Sequence, residues 1–277
     1  MKKTIFMIVM TMLVFMALPV NAQESVLRTL NVSKQLKPDR NHPLTKQYEG
    51  FFTYYIRLNL PDIDKVPQAY KKALTAVRDT VISKATGIQY QKGDKNYQKL
   101  IALFETKMLD NLEEMIAFMD ESERDRYKPL FQWLVEYSGQ LNESASANPM
   151  VSDIPFFQFF LEKTEFIGNS WYKVCNLVFD CHTGQLLTIE DLLNMTEANE
   201  NAITELMRKE FRTRHPQGTD YDYHVYPSAS FEISELGINF YIPTDEVTEN
   251  QLEYIFLDRD ALKPYVKKGS LLDKYWK

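Results

Sequence analysis

Residues 156–193 read FFQFFLEKTEFIGNSWYKVCNLVFDCHTGQLLTIEDLL, and this run decides the fold. Phe156 to Ile167 and Trp171 to Cys181 are rich in aromatic and β-branched residues, as strands are. They flank Gly168-Asn169-Ser170, where Gly and Asn tolerate the positive φ of a tight hairpin. Phe156, Phe157, Phe159 and Phe160 fall on both sides of a two-residue period, so the first strand is expected to be core on both faces. His182-Thr183-Gly184-Gln185 then turns the chain into Leu186 and Leu187. Thr188 starts a short helix, and Asp191, three residues on, completes its cap.

The only cysteines, Cys175 and Cys181, lie in this run, six residues apart. A continuous strand rises roughly 3.3 Å per residue and would hold them about 20 Å apart, whereas a disulfide needs Cα atoms within roughly 7 Å. Even spacing places Cys175, Leu177, Phe179 and Cys181 on one face, which reads as a core face. Two unbridged thiols acting as small hydrophobes are expected.

Upstream, strands are expected over 25–36 and 48–60, separated by the polar joint Lys37 to Pro43. Asp64 is read as the cap of a helix whose Tyr70, Leu74, Val77 and Val81 recur at helical spacing until Gly87 ends it. Two more helical stripes follow. Tyr97, Leu100, Ile101, Phe104, Met108, Leu112, Met115 and Met119 form one; Tyr127, Leu130, Phe131, Leu134 and Tyr137 form the other. Together they predict a helical hairpin over about 94–147. Gly139 to Pro149 is small and polar and reads as a linker. Downstream, a helix is predicted over 196–214, strands over 230–233, 238–242 and 252–257, and short helices over 261–266 and 271–276. Strands and helices in mixed order predict an α+β fold: a largely antiparallel sheet packed with helices, plus a helical insertion.

The chain opens with Lys2 and Lys3, an apolar run of 14 residues from Ile5 to Leu18, then Pro19 and Val20-Asn21-Ala22. That is the pattern of a secretory signal peptide, 1–22, cut after Ala22. The run is short of the roughly 20 residues a permanent span needs, so no stable transmembrane anchor is expected. The exported body is 23–277, a single α+β domain by this reading, placed in the periplasm or at the cell surface. Losing Lys2 and Lys3 leaves 30 basic against 38 acidic residues, a net charge of about −8, which excludes nucleic acid as a natural partner.

A family resemblance enters at Tyr172 to Leu193, a strand, a Thr183-Gly184 turn and the helix start Leu187-Thr188-Ile189-Glu190-Asp191-Leu192. Phe231 to Tyr241 (FEISELGINFY) and Leu257 to Tyr265 (LDRDALKPY) extend it. This pattern resembles a family of exported bacterial domains of unknown function, over roughly residues 25–87 and 154–266. The same domain type forms the extracytoplasmic, lysozyme-sensing part of RsiV-like anti-sigma factors, and a related region precedes the catalytic domain of a peptidoglycan deacetylase. The resemblance thus implies an α+β binding domain, with a basic protein such as lysozyme as one partner. In place of the family's glycine-rich "GGAH"-type segment stands Phe166-Ile167-Gly168-Asn169-Ser170-Trp171, so a function resting on that segment does not carry over. The sigma-factor role needs a cytoplasmic domain, yet only Met1, Lys2 and Lys3 precede the apolar run. The deacetylase role needs a catalytic domain, yet 11 residues follow the matched region. Neither activity is expected.

Chemistry-bearing motifs are sparse. The histidines His42, His182, His215 and His224 stand in no metal-binding spacing. Asp180 and His182 share a strand face but lack a visible third ligand, so they read as polar residues rimming a turn, and no metal or cofactor is expected. Cys181 adjoins His182, but neighbouring strand residues point opposite ways, so a cysteine nucleophile is not expected. There is no GxSxG elbow. Glu113, Glu114, Asp120, Glu121, Glu123 and Asp125 read as solvated helix surface. The most suggestive cluster is Asp220, Tyr221, Asp222, Tyr223, His224 and Tyr226, where rings alternate with hydrogen-bonding groups as on sugar-binding and protein-binding surfaces. The same pattern also suits a tyrosine-rich edge packed on the sheet. The expectation is an exported, non-catalytic domain that binds a protein or a cell-envelope glycan. The alternative is a cell-wall hydrolase or deacetylase whose site the sequence hides. A broad aromatic surface favours binding; a deep cleft with converging Asp, Glu and His favours the enzyme.

Overall fold

The computed structural model describes residues 27–36, 51–90, 94, 97–118, 132–141, 155–167, 169–216, 225–228, 230–242 and 253–277. Strands β1 (Leu27–Leu36), β2 (Phe51–Pro61), β3 (Gln132–Leu141), β4 (Phe156–Ile167) and β5 (Asn169–Asp180) form one sheet in chain order. Every neighbouring pair is antiparallel except β2 and β3, which run parallel. A parallel pair needs a long crossover. Helices α1 (Gln68–Thr86) and α2 (Gln98–Phe118) lie within it. Gly87 ends α1 in the left-handed region at φ 64°, and its N–H donates to the Ser83 carbonyl. The start of α1 is Pro67, not Asp64, which lies in the preceding turn.

The second helical stripe is corrected. Residues 132–141 form β3, a strand flanked on both sides, and this also takes Gly139 to Leu141 out of the expected linker. Trp133, Val135, Tyr137 and Gly139 all prefer strand or turn over helix, and the pairing offered by β2 and β4 outweighs a short three-to-four spacing. The first stripe is α2, with Leu100, Phe104 and Met108 buried.

The remaining chain builds a second layer. Helix α3 (Ile189–Leu192) is capped as expected: the Thr188 N–H donates to Asp191 Oδ2 at 2.8 Å. Helix α4 (Glu197–Arg214) begins where the Thr196 hydroxyl accepts from the Asn199 N–H. Strands β6 (Phe231–Ile233), β7 (Gly237–Ile242) and β8 (Glu253–Asp258) form an antiparallel sheet in that order. Helices α5 (Arg259–Leu262) and α6 (Leu271–Tyr275) close the chain. The Trp276 indole N–H donates to the Ser234 carbonyl at 2.9 Å, and Tyr275 meets Phe156 edge to face.

Two cores result, and β4 with β5 stand between them. Phe157, Phe159, Leu177, Phe179 and Cys181 join the core under α1 and α2, while Phe156 and Val178 join the core around α4 and the small sheet. The two-sided burial expected of the Phe156 run is what the molecule has. Two buried amides join the layers through polar contacts. Gln158 (1 % exposed) donates from Nε2 to the Ile233 carbonyl at 2.8 Å and accepts the Ile233 N–H on Oε1 at 2.7 Å. Asn176 (3 % exposed) donates from Nδ2 to the Phe231 carbonyl at 2.6 Å, and its N–H donates to Ser230 Oγ at 2.8 Å. Side chains of the large sheet thus supply the hydrogen bonds that a neighbouring strand would give β6.

Candidate functional site

Residues 220–224, which hold Asp220, Tyr221, Asp222, Tyr223 and His224, lie outside the described residues. Tyr226, at the end of that cluster, is 42 % exposed. The segment that follows it is fixed to β7: the Ser228 hydroxyl lies 2.7 Å from the carbonyls of Ser230 and Tyr241, and the Tyr241 N–H donates to Ser230.

That anchoring leads to the outward face of the small sheet. Along β7, Ile238, Phe240 and Ile242 turn inward while Asn239 and Tyr241 turn outward. The antiparallel register sets Asn239 opposite both Glu232 and Phe256, and Tyr241 opposite Tyr254. The Tyr241 and Tyr254 ring centroids are 6.4 Å apart, and the Phe160 ring of β4 is 6.3 Å from that of Tyr241. The Tyr241 hydroxyl donates to Glu232 Oε2 at 3.2 Å, and Asn239 Nδ2 donates to the same oxygen at 3.3 Å. Burial, then the Glu232 charge, pushes the Tyr241 phenol well above its ordinary range, so it remains a neutral donor. Tyr254 is 46 % exposed, with the Arg214 guanidinium 5.4 Å from its ring centroid. Arg214 Nη1 also donates to the Tyr254 carbonyl at 2.6 Å on the edge strand, close to Glu253 at 3.7 Å. Rings, a carboxylate, an amide and a guanidinium therefore share one solvent-facing surface. Sequence reasoning placed these strands but singled out none of these residues. The signal was available, because two-residue alternation sends Asn239 and Tyr241 to one side and Tyr254 and Phe256 to the same side.

A second cluster sits where β5 ends, and here the geometry corrects the expectation. The strand stops at Asp180 and Cys181 to Thr183 form a turn, so the Cys181 and His182 side chains converge: Sγ lies 3.1 Å from Nδ1. Asp180 Oδ1 is 3.7 Å from the same nitrogen and accepts the backbone N–H groups of His182 and Thr183 at 2.7 and 3.2 Å. Asp180, Cys181 and His182 each offer a ligand atom, all within 4.8 Å of one another. His182 is 72 % exposed at the side chain, while Cys181 is buried in the core. Burial, reinforced by the Asp180 charge, pushes the Cys181 thiol up to about 11.

Neither cysteine is disulfide-bonded, in line with the expectation of unbridged thiols, and Cys175 packs against the core that holds Cys181. Because the thiolate is the reactive form, Cys181 is expected to resist iodoacetamide at pH 8 in the folded protein and to react in denaturant. Mass spectrometry of the labelled chain reads this, and rapid native labelling at Cys181 would refute the burial described.

Elsewhere, a wide-open depression of about 500 Å³ at the end of α1 is lined by Asp79, Ser83, Lys84, Gly87, Ile88 and Tyr90. It contains neither the aromatic face nor the Cys–His pair. Among the described residues, no helix is long and apolar enough to cross a membrane.

No protein-family profile matches the sequence, and no curated protein matches it. Solved structures do. A member of the DUF3298 family from Bacteroides fragilis superposes with a TM-score of 0.64 over 90 % of this chain and 96 % of that one, at 13 % identity. A DUF3298 family protein from Pseudomonas aeruginosa gives 0.53 over 87 % and 95 %, at 12 % identity. At these identities the likeness is one of fold, and the fold is shared with proteins of a domain-of-unknown-function family.

Proposed function

We propose that this chain is an exported, non-catalytic binding domain that recognises a protein or a cell-envelope glycan through the outward face of its small sheet. One observation carries the reading: Tyr241 and Tyr254 stand side by side on that face, bordered by Phe160 and by the hydrogen-bonding groups of Glu232, Asn239 and Arg214. Stacking rings beside fixed polar groups suit a saccharide, and exposed tyrosine beside arginine suits a protein interface. Tyr226 belongs to the same proposal, because Ser228, two residues on, hydrogen-bonds the Tyr241 carbonyl; Asp220, Tyr221, Asp222, Tyr223 and His224 enter it from the sequence pattern alone. Export rests on the leader, residues 1–22, and places the encounter in the periplasm or at the cell surface. Lysozyme is the finer candidate, supported by the resemblance to RsiV-like domains and by the opposite charge of such enzymes.

The test is retention of soluble peptidoglycan fragments and of lysozyme on the immobilised chain at low salt, where attraction is least screened. Tyr254→Ala and Tyr226→Ala are expected to weaken the retained ligand roughly tenfold or more while the melting temperature stays within a degree or two. If neither substitution changes affinity for a ligand the chain retains, this face is not the recognition surface. No retention of lysozyme removes that partner alone. A cell-wall hydrolase or deacetylase would instead release reducing ends or acetate from the same fragments.

A further inference from the structure

We propose that Asp180, Cys181 and His182 form a zinc site in which three consecutive residues supply a carboxylate oxygen, a thiolate sulfur and an imidazole nitrogen to one ion. This goes beyond the binding reading and does not rest on it. The donors are those zinc favours, and their mixture of soft and hard atoms selects zinc over magnesium or calcium. Donor atoms around a tetrahedral zinc with bonds of 2.0–2.3 Å stand roughly 3.3–3.8 Å apart. Here Sγ to Nδ1 is 3.1 Å, and a carboxylate oxygen of Asp180 lies with them inside a 4.8 Å spread. Closing the set to tetrahedral spacing takes a shift of about 1 Å or less, within reach of a rotation of the exposed His182 side chain and of the Asp180 carboxylate.

The backbone of the turn is held by hydrogen bonds before any ion arrives. The Gly184 N–H donates to the Asp180 carbonyl at 2.8 Å, the Cys181 N–H to the Pro155 carbonyl at 3.0 Å, and the Asp180 N–H to the Gln185 carbonyl at 2.9 Å. Two backbone N–H groups hold Asp180 Oδ1 and fix the carboxylate, as outer-shell partners do at metal sites, so the other carboxylate oxygen is the one proposed for the ion. On binding, the exposed His182 side chain is therefore the ligand with most freedom to lose. The proton on Cys181 is the price of entry: zinc displaces it, the thiol becomes a thiolate, and one proton leaves to solvent for each ion bound. Three protein donors leave the fourth position to water or to a donor from a bound molecule.

Cobalt(II) is the probe, since it takes zinc sites and reports on its ligands. Titrated into the purified, reduced chain, it is expected to bind one ion per chain. The expected spectrum has a thiolate-to-cobalt charge-transfer band in the near ultraviolet and the strong visible bands of four-coordination, all abolished by added zinc. Cys175→Ser should keep the spectrum. Asp180→Asn should weaken binding. His182→Ala should lose at least the roughly 10–100-fold in affinity that even an outer-shell partner is worth. Cys181→Ser should abolish the charge-transfer band. Because His182 is exposed, His182→Ala remains a folded test even if Cys181→Ser does not fold. Absence of a charge-transfer band at millimolar cobalt, or a spectrum and affinity unchanged in His182→Ala, overturns the site.

Discussion

Replacing Gly184 with alanine is expected to lower the melting temperature by roughly 6–15 °C, far more than a surface methyl group ordinarily does. Gly184 sits at φ +73°, where an L side chain costs about 1–2 kcal/mol. The larger cost is steric. A Cβ there would stand 2.3 Å from the Ala73 carbonyl oxygen and 2.9 Å from the Ala73 C and Cα atoms. These are backbone atoms of a helix 19 residues long, so no rotamer change relieves the clash. The turn and α1 must move apart, loosening the contacts of Ala73 and Leu74, and forced overpacking costs a further 1–3 kcal/mol or so. Gly269 is the control within the same molecule: its φ is +81°, yet nothing lies within 4 Å of its Cβ position. Gly269→Ala should therefore show the conformational cost alone. Urea unfolding of both variants measures the difference, and equal destabilisation would refute the close approach of the turn to α1. The same loosening would disturb Asp180, Cys181 and His182, so Gly184→Ala also predicts weaker cobalt binding than Gly269→Ala.

What the sequence disclosed of this fold depended on whether the deciding interaction was local. The Thr188–Asp191 cap, the start of α4 at Thr196 and the pairing of β4 with β5 are settled by residues a few positions apart, and they lie where the pattern put them. The exception is Asn169 and Ser170, expected in the turn, which pair with Ile167 and Phe166 as the first residues of β5. Strand β3 was hidden because its hydrogen bonds come from β2, 81 residues away in register at Phe51 and Gln132, and from β4. Its aromatic spacing fits three-to-four periodicity as well as strand alternation. The convergence of Cys181 on His182 was hidden by a smaller error. One residue decides whether the strand continues, and ending it at Asp180 turns two diverging side chains into neighbours 3.1 Å apart. The aromatic face of the small sheet shows the same limit at longer range. Alternation places Tyr241 and Tyr254 outward within their own strands, but only the register of β7 with β8 makes them neighbours. Nothing local marks Gln158 as different from its phenylalanine neighbours except its polarity, which in a run covered on both faces already demanded a partner.

That partner gives Gln158 the second large expected effect. Its amide matches the backbone of Ile233 at two points, donating to the carbonyl and accepting from the N–H, in an interior where neither group reaches water. Gln158→Leu keeps much of the volume but leaves both backbone groups unpaired. At about 1–3 kcal/mol each, the expected loss is roughly 2–6 kcal/mol, a large share of a typical domain's stability. Gln158→Glu separates hydrogen bonding from packing, because the protonated acid keeps one donor and one acceptor in nearly the same shape. Burial should raise the folded-state pKa of that carboxyl above its unfolded value of about 4.3. The neutral form then pairs with Ile233 at low pH. As pH rises past the unfolded pKa the unfolded chain gains by ionising while the folded chain does not, so stability relative to the parent falls until the folded pKa is reached. Gln158→Glu should therefore be close to the parent in urea at pH 4 and markedly less stable at pH 7, whereas Gln158→Leu should be equally impaired at both. If Glu and Leu at this position cost the same at every pH, the two-point pairing with Ile233 is not what joins β4 to β6.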